Sequence, residues 1–198
     1  HHTFQHDAGL ADYLAHVVST QRSTPVHDTI FSLDRTHADS GSKVDVVLRW
    51  TESTDELVRS YVNGIPTESG GTHENGLRSA IGKAIRNFVE THSLAPKGIA
   101  ITSEDIREGL TGILSVFVPD PQFQGQTKDR LNNPEIASAL DSLIRPALEH
   151  WLNHNISVAE AIVARITLAA RAREASRAAQ QQLNRRSVAS SRLNLPGK

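Results

Sequence analysis

Val44, Val46, Leu48 and Trp50 alternate with Asp45, Val47 and Arg49, a period of two that predicts a half-buried strand. Residues 57–65 alternate as well, with Val58 and Val62 on one face and Arg59, Tyr61 and Asn63 on the other. The polar stretch 51–56 between them predicts an antiparallel hairpin with a long loop. Residues 110–118 are apolar almost without a break, which predicts a strand covered on both faces. A further strand is predicted over 26–33, with a turn at Asp39-Ser40-Gly41-Ser42.

Helical spacing takes over elsewhere. Leu10, Leu14 and Val17 or Val18 predict a short amphipathic helix within 4–20. Leu77, Ile81, Ile85 and Phe88 form the buried stripe of a longer one, with Thr72 as its N-cap and Glu74 in the first turn, near the positive helix end. Arg78, Gly82 and Arg86 share a neighbouring stripe, so two cations can point into one space; two solvated surface arginines fit the same spacing. Thr102-Ser103-Glu104-Asp105 predicts a single capped turn through Glu108. Asn133 and Pro134 open a helix whose stripe is Ile136, Leu140, Leu143, Ile144, Ala147 and Trp151, and Pro146 is expected to kink or split it. Ser157 and Glu160 have capping-box spacing, and the alanine- and arginine-rich run that follows predicts a helix to about Arg186, with 188–198 extended. That helix spans on the order of 45 Å at 1.5 Å per residue. Past Ala170 its large apolar residues all but stop, so the helix is expected to project from the domain. The fold class that results is an α/β (α+β) sandwich: a mixed sheet with helices on one side and a long protruding C-terminal helix.

Charge sharpens this picture. The net charge is −1, but from Arg165 onward there are eight basic residues and one acid, giving +7 there and −8 in the remainder. Arg171, Arg173 and Arg177 on the long helix therefore suit an anionic partner, although a solvated helix face has the same composition. Cysteine is absent, which excludes disulfides and thiolate metal sites and fits a reducing compartment. No run of 18 apolar residues exists, so no membrane span or membrane partner is expected. Methionine is absent too, and a chain opening on His-His reads as a piece of something longer, whether those histidines are tag or native.

The candidate chemistry lies in Pro119-Asp-Pro-Gln-Phe-Gln-Gly-Gln-Thr-Lys-Asp-Arg-Leu131. Two close prolines end the apolar strand, because neither can donate to a ladder. In the polar loop that follows, Gln126 and Lys128 straddle Thr127, and an ammonium beside an amide donor suits the acceptor oxygens of a terminal phosphate. From the residues alone, a solvated loop with an ordinary surface lysine describes the pattern as well. A complete phosphate cradle is lacking: the nearest glycine pattern, Gly76 to Ala84, is one residue too long, lacks the metal-binding hydroxyl and lies in a helical stretch.

Four ordered motifs carry a resemblance: Tyr-Val-Asn-Gly-Ile-Pro-Thr-Glu-Ser-Gly-Gly-Thr-His-Glu-Asn-Gly-Leu-Arg (61–78), Ser-Glu-Asp-Ile-Arg-Glu-Gly-Leu (103–110), the Val118–Leu131 stretch and Ala-Ala-Arg-Ala-Arg-Glu-Ala (169–175). Together with the opening Phe-x-His-Asp-x-Gly-Leu and the closing Leu-Pro-Gly-Lys, the chain resembles the B subunit of bacterial type II topoisomerases, DNA gyrase and topoisomerase IV. The resemblance covers nearly the whole chain and points to the transducer domain, between an ATPase domain and the cleavage domains. It departs from the family at Leu77, where phenylalanine is usual, at Ser69 before Gly-Gly, and at Pro146.

What the resemblance implies is a ribosomal-protein-like sandwich over 1–155 and a basic helix and tail over 156–198 leading to the cleavage domain. It implies that Gln126 and Lys128 contact the γ-phosphate of ATP, with Mg²⁺ held by the absent ATPase domain, and that Arg78 lines a cavity for DNA. Arg86, Arg171, Arg173 and Arg177 complete the expected DNA contacts. Expected partners are DNA, the protein's own ATPase and cleavage domains, the A subunit, and a second copy in the full-length dimer, in the nucleoid-associated cytoplasm. The isolated chain is expected to be inactive. The rival readings are a stand-alone nucleic-acid-binding module and a structural dimerisation domain.

Overall fold

The computed structural model describes residues 24–193. The helix expected within 4–20 and the closing Leu-Pro-Gly-Lys lie outside them. Five strands, β1 (Phe31–Thr36), β2 (Lys43–Trp50), β3 (Leu57–Val62), β4 (Ile65–Pro66) and β5 (Leu110–Phe117), form one sheet in the order β1-β2-β5-β3-β4. Its helices are α1 (Thr72–Thr91), the short α2 (Ser103–Arg107), α3 (Pro134–His154) and α4 (Ile156–Leu193).

The alternation assigned faces correctly but not neighbours. β2 does not pair with β3. Its partners are β1 and β5, both antiparallel, and β3 runs parallel to β5 on the other side. The reason is burial. β5 is buried at every position except Phe117, so it takes the centre, where both edges and both faces are covered. The β3-to-β5 connection then carries α1 and α2, the crossover that a parallel pair requires. The first strand also starts later than predicted, at Phe31 instead of Val26.

The predicted strand 57–65 is in fact a hairpin. Asn63 (φ 51°) and Gly64 (φ 79°) both take left-handed backbone, the two-residue turn that Asn-Gly favours, and it reverses β3 into β4. The Asn63 side chain also bridges to the far end of β5, accepting from the Val118 amide at 2.8 Å and donating to its carbonyl at 3.1 Å.

Val46, Leu48 and Trp50 of β2 and Leu110, Leu114 and Val116 of β5 meet Leu77, Ile81, Ile85 and Phe88 of α1 in one core. The α1 stripe is therefore the predicted one. On α3 the buried set is Ile136, Ala139, Leu140, Ile144, Leu148 and Leu152, with Leu143, Ala147 and Trp151 at its margin. Pro146 does not split α3. It is exposed, where solvent can take the carbonyl that it leaves unpaired.

The predicted helix ends fare differently. Gly71, not Thr72, caps α1, and no side chain bonds there. The Thr102–Asp105 capping box on α2 is present. α4 begins at Ile156, which places Ser157 in the first turn, and continues to Leu193 instead of ending near Arg186. Its 38 residues span about 57 Å. Ile162, Val163 and Ile166 are buried against the core, a contribution of roughly 5 kcal/mol or more. Every residue from 175 to 191 is exposed.

Candidate functional site

The loop after β5 is built from its base upward. Asn133, 2% exposed, accepts from the Gln122 amide at 2.5 Å and donates to the Asp120 carbonyl at 3.0 Å and to Glu135 at 2.9 Å. A buried amide thus binds the start of the loop to its end. The two limbs then pair: Asn132 N–H to the Gln122 carbonyl at 2.7 Å, and Gln124 N–H to the Arg130 carbonyl at 2.9 Å. The returning limb is also tied to the turn before α1. Ser69 N–H reaches the Asp129 carbonyl at 2.9 Å, Leu131 N–H the Gly70 carbonyl at 3.1 Å, and Thr72 N–H the Leu131 carbonyl at 3.1 Å. Side chains reinforce this, with Ser69 Oγ on Asp129 at 3.2 Å and an Arg130 guanidinium N–H on the Ser69 carbonyl at 3.1 Å.

What remains is a tip. Gly125 and Lys128 both adopt positive φ, 81° and 57°. For a lysine this conformation costs about 1–2 kcal/mol, and strain of this kind clusters at functional sites. Gln126 and Lys128 are exposed, and neither side chain has a hydrogen-bond or ion-pair partner among the described residues. The two expected phosphate-contacting groups are therefore displayed together on a braced support, open to a group brought from outside.

Below this support lies a polar cluster that sequence reasoning missed. Ser60 donates to Glu74 at 2.5 Å and meets Thr67 Oγ1 at 2.7 Å, and Thr67 Oγ1 lies 2.9 Å from His73 Nε2. Glu74 pairs with Arg78 at 3.1 Å, and Arg78 reaches Glu56 at 3.5 Å. A cleft of about 600 Å³ opens above the cluster, lined by Arg59, Gly70, Glu74, Arg78 and Arg130 among others. The signal was in the sequence as the run of small polar residues around Gly-Gly, but their partners lie on different elements.

His73 is fully buried. Burial, and then the positive charge of Arg78, lower its pKa from 6.5 to about 4. It folds neutral, whereas the unfolded chain binds a proton near pH 6.5, so stability is whole above that pH and falls as pH drops toward about 4. The expected loss is about 3 kcal/mol across this window. Unfolding midpoints of this chain at pH 7 and pH 4.5 should therefore differ less in His73→Gln than in the parent; equal pH slopes would remove His73 as the cause.

The expected DNA contacts divide. Arg171 and Arg177 are exposed on α4. Arg86 is exposed and donates to the Ile101 carbonyl at 3.4 Å. Arg78 and Arg86 do not share a space: Arg78 turns to Glu74 and Glu56. Arg173 departs furthest from expectation. Its guanidinium grips both Asp105 oxygens at 3.1 to 3.3 Å and the Ala100 carbonyl at 2.9 Å, so its donors are used within the fold. Burial raises the Asp105 pKa, but hydrogen bonds from Arg173 and Thr102 outweigh it and hold the carboxyl below its usual value. Arg165, 9% exposed, makes a second grip on the Thr51 and Ser53 carbonyls at 3.3 and 2.8 Å and on Glu108 at 3.1 Å. No helix among the described residues is long and apolar enough to cross a membrane, and no group of three metal-ligating side chains occurs among them.

Comparison with known proteins bears on the family and the fold. The DNA gyrase B family model matches residues 9–182. The chain is 36% identical to the gyrase B protein of Chlamydia pneumoniae over 99% of its own length and 24% of that protein. It is 38% identical to the gyrase B protein of Mycobacterium leprae over 100% of its own length and 29% of that protein. It thus spans about a quarter of the curated relatives it matches. Among solved structures, the 43K ATPase domain of Thermus thermophilus gyrase B superposes with a TM-score of 0.81 at 29% identity, over 90% of this chain and 47% of that one. The topoisomerase IV ATP-binding domain of Francisella tularensis gives 0.71 at 34% identity, over 86% and 44%. A match across most of the sequence, a shared fold and this degree of identity lead to one conclusion: the chain belongs to the DNA gyrase B family.

Proposed function

We propose that this chain is the transducer of a type II DNA topoisomerase, coupling ATP binding and hydrolysis in an adjacent domain to DNA strand passage. The observation that carries the reading is the tip of the loop after β5, where Gln126 and Lys128 stand exposed and unpartnered on a base fixed by Asn133 and the Gly70–Leu131 bond. Such a tip fits a terminal phosphate held elsewhere. The Thermus and Francisella chains are each about twice the aligned length and are described as ATPase or ATP-binding domains, so the unmatched part would supply the nucleotide pocket.

ATP, when bound next door, supplies the anionic triphosphate and the free energy of its cleavage. Lys128 would neutralise the terminal phosphate, and Gln126 would donate beside it. In this reading Mg²⁺ would be held by the neighbouring domain. Before hydrolysis the tip would be held; afterwards the contact would weaken, which would bias two orientations of the domain pair. α4 would carry that change onward, while Arg86, Arg171 and Arg177 meet DNA phosphates without reading bases. Arg78 joins them only if it gives up part of its pairing with Glu74. DNA, the cleavage domains and the A subunit are the partners this implies.

Hydrogen exchange on the full-length protein tests the reading. A non-hydrolysable ATP analogue should slow exchange at residues 124–130 by about tenfold, as expected when a loop is pinned by a ligand. Unchanged exchange there, with the nucleotide demonstrably bound, would reject the contact.

A further inference from the structure

We propose that Glu56 is the junction through which the Lys128 loop and α4 are positioned relative to each other. The inference rests on the transducer reading and adds a route to it. Two sets of contacts converge on this one carboxylate. From the loop, the returning limb bonds Ser69 and Gly70, the turn that enters α1. In the first turn of α1, Glu74 holds Arg78 at 3.1 Å, and Arg78 reaches Glu56 Oε1 at 3.5 Å. From the other direction, Arg173 on α4 grips Asp105 of α2. Two residues on, Arg107 points its Nε to Glu56 Oε2 at 3.7 Å. The backbone leading to Glu56 is held as well, since Arg165 of α4 bonds the Ser53 carbonyl at 2.8 Å.

The junction is slack. Both of its ion pairs are longer than the 2.7–2.9 Å of a charge-assisted hydrogen bond. Glu56 Oε2, Arg78 Nε and Arg107 Nε are all out of solvent, and none has a hydrogen-bond partner. Glu56 Oε2 and Arg107 Nε, both with unmet capacity, lie 3.7 Å apart, while Arg78 meets the other carboxylate oxygen through a terminal guanidinium nitrogen at 3.5 Å. Unmet capacity of this kind is costly, so a displacement of under about 1 Å toward either arginine is favoured by a completed bond. In the proposed junction the same displacement would lengthen the other contact. One carboxylate shared by two guanidinium groups on different helices is therefore a small two-position element, and both the loop and α4 can bias it.

The test uses the full-length protein assembled with its A subunit, with plasmid strand passage and ATP turnover measured together. Glu56→Gln keeps the shape and removes the charge. It should leave DNA-independent ATP turnover within about twofold and lower strand passages per ATP about tenfold, within the range of ordinary coupling energies. Arg107→Gln should give the same loss, and the double variant should be no worse than either single one, because both break one link. Unchanged passages per ATP would overturn the proposal. So would losses that multiply in the double variant, or two activities that fall in step with melting temperature, which would make Glu56 a packing residue only. The transducer reading fails separately: if Lys128→Ala leaves turnover intact, that reading falls, whereas a collapse there beside an unaffected Glu56→Gln removes only the junction.

Discussion

Lys128→Ala, placed in the full-length protein, is expected to lower ATP turnover by about 100-fold while leaving the melting temperature of this chain within a degree or two. The size follows from what a preorganised donor contributes when charge develops on an oxygen away from bulk water, about 10² to 10³ in rate. The unaltered stability follows from the site itself. Lys128 is exposed and without a described partner, so alanine removes no contact, and left-handed backbone suits neither residue. Steady-state turnover and a thermal melt on the same preparations decide it. Normal turnover would leave the loop without a nucleotide role.

The largest expected effect on stability is at Gly71. Its φ of 138° and ψ of −164° belong to a region that glycine alone populates. A Cβ at this position would fall against the Leu131 backbone, on its carbonyl oxygen and within 2.5 Å of its nitrogen. The clash cannot be relieved by a side-chain rotation, because the obstacle is main chain that is itself bonded to Gly70 and Thr72. Gly71→Ala should cost about 4 kcal/mol, combining strain with displaced packing, and lower the melting temperature by about 10 °C or more for a chain of this size. Gly82→Ala is the control: no atom lies within 4 Å of its added Cβ, and the position is helical, so stability should hold or rise slightly. Equal melts for the two variants would mean that the loop and the α1 turn are not locked together.

The sequence was most informative where one element decides its own environment. The α1 stripe of Leu77, Ile81, Ile85 and Phe88 is set by helical period alone, and all four are buried. The unbroken apolar run of β5 marked a strand covered on both faces for the same reason. The loop tip was legible because two prolines and a glycine punctuate it. Pairing was not legible. Alternation reports which face a residue uses but not which strand lies beside it, so β5 could not be inserted between β2 and β3 from the pattern. The Asn63-Gly64 turn was readable, since that dipeptide favours positive φ twice over, but the alternation running through it obscured the reversal. Arg173 looked like a free cation because its acceptor, Asp105, lies 68 positions away in the chain. Glu56 and Arg165 were missed likewise: single charges acquire roles only from neighbours that the fold brings to them.

α4 is gripped at Arg165 and Arg173, and from 175 to 191 every one of its residues faces solvent among the described residues. Exposure leaves side-chain identity over those residues loosely constrained by packing, whereas under the proposed role their number would matter. One residue inserted there would swing all that follows by about 100° around the axis, whereas seven would advance it by roughly 10 Å and turn it by only about 20°. If the helix acts as the proposed transducer rod, drift in this segment should be tolerated in composition and in whole heptads, and resisted one residue at a time, because what such a rod would transmit is a bearing.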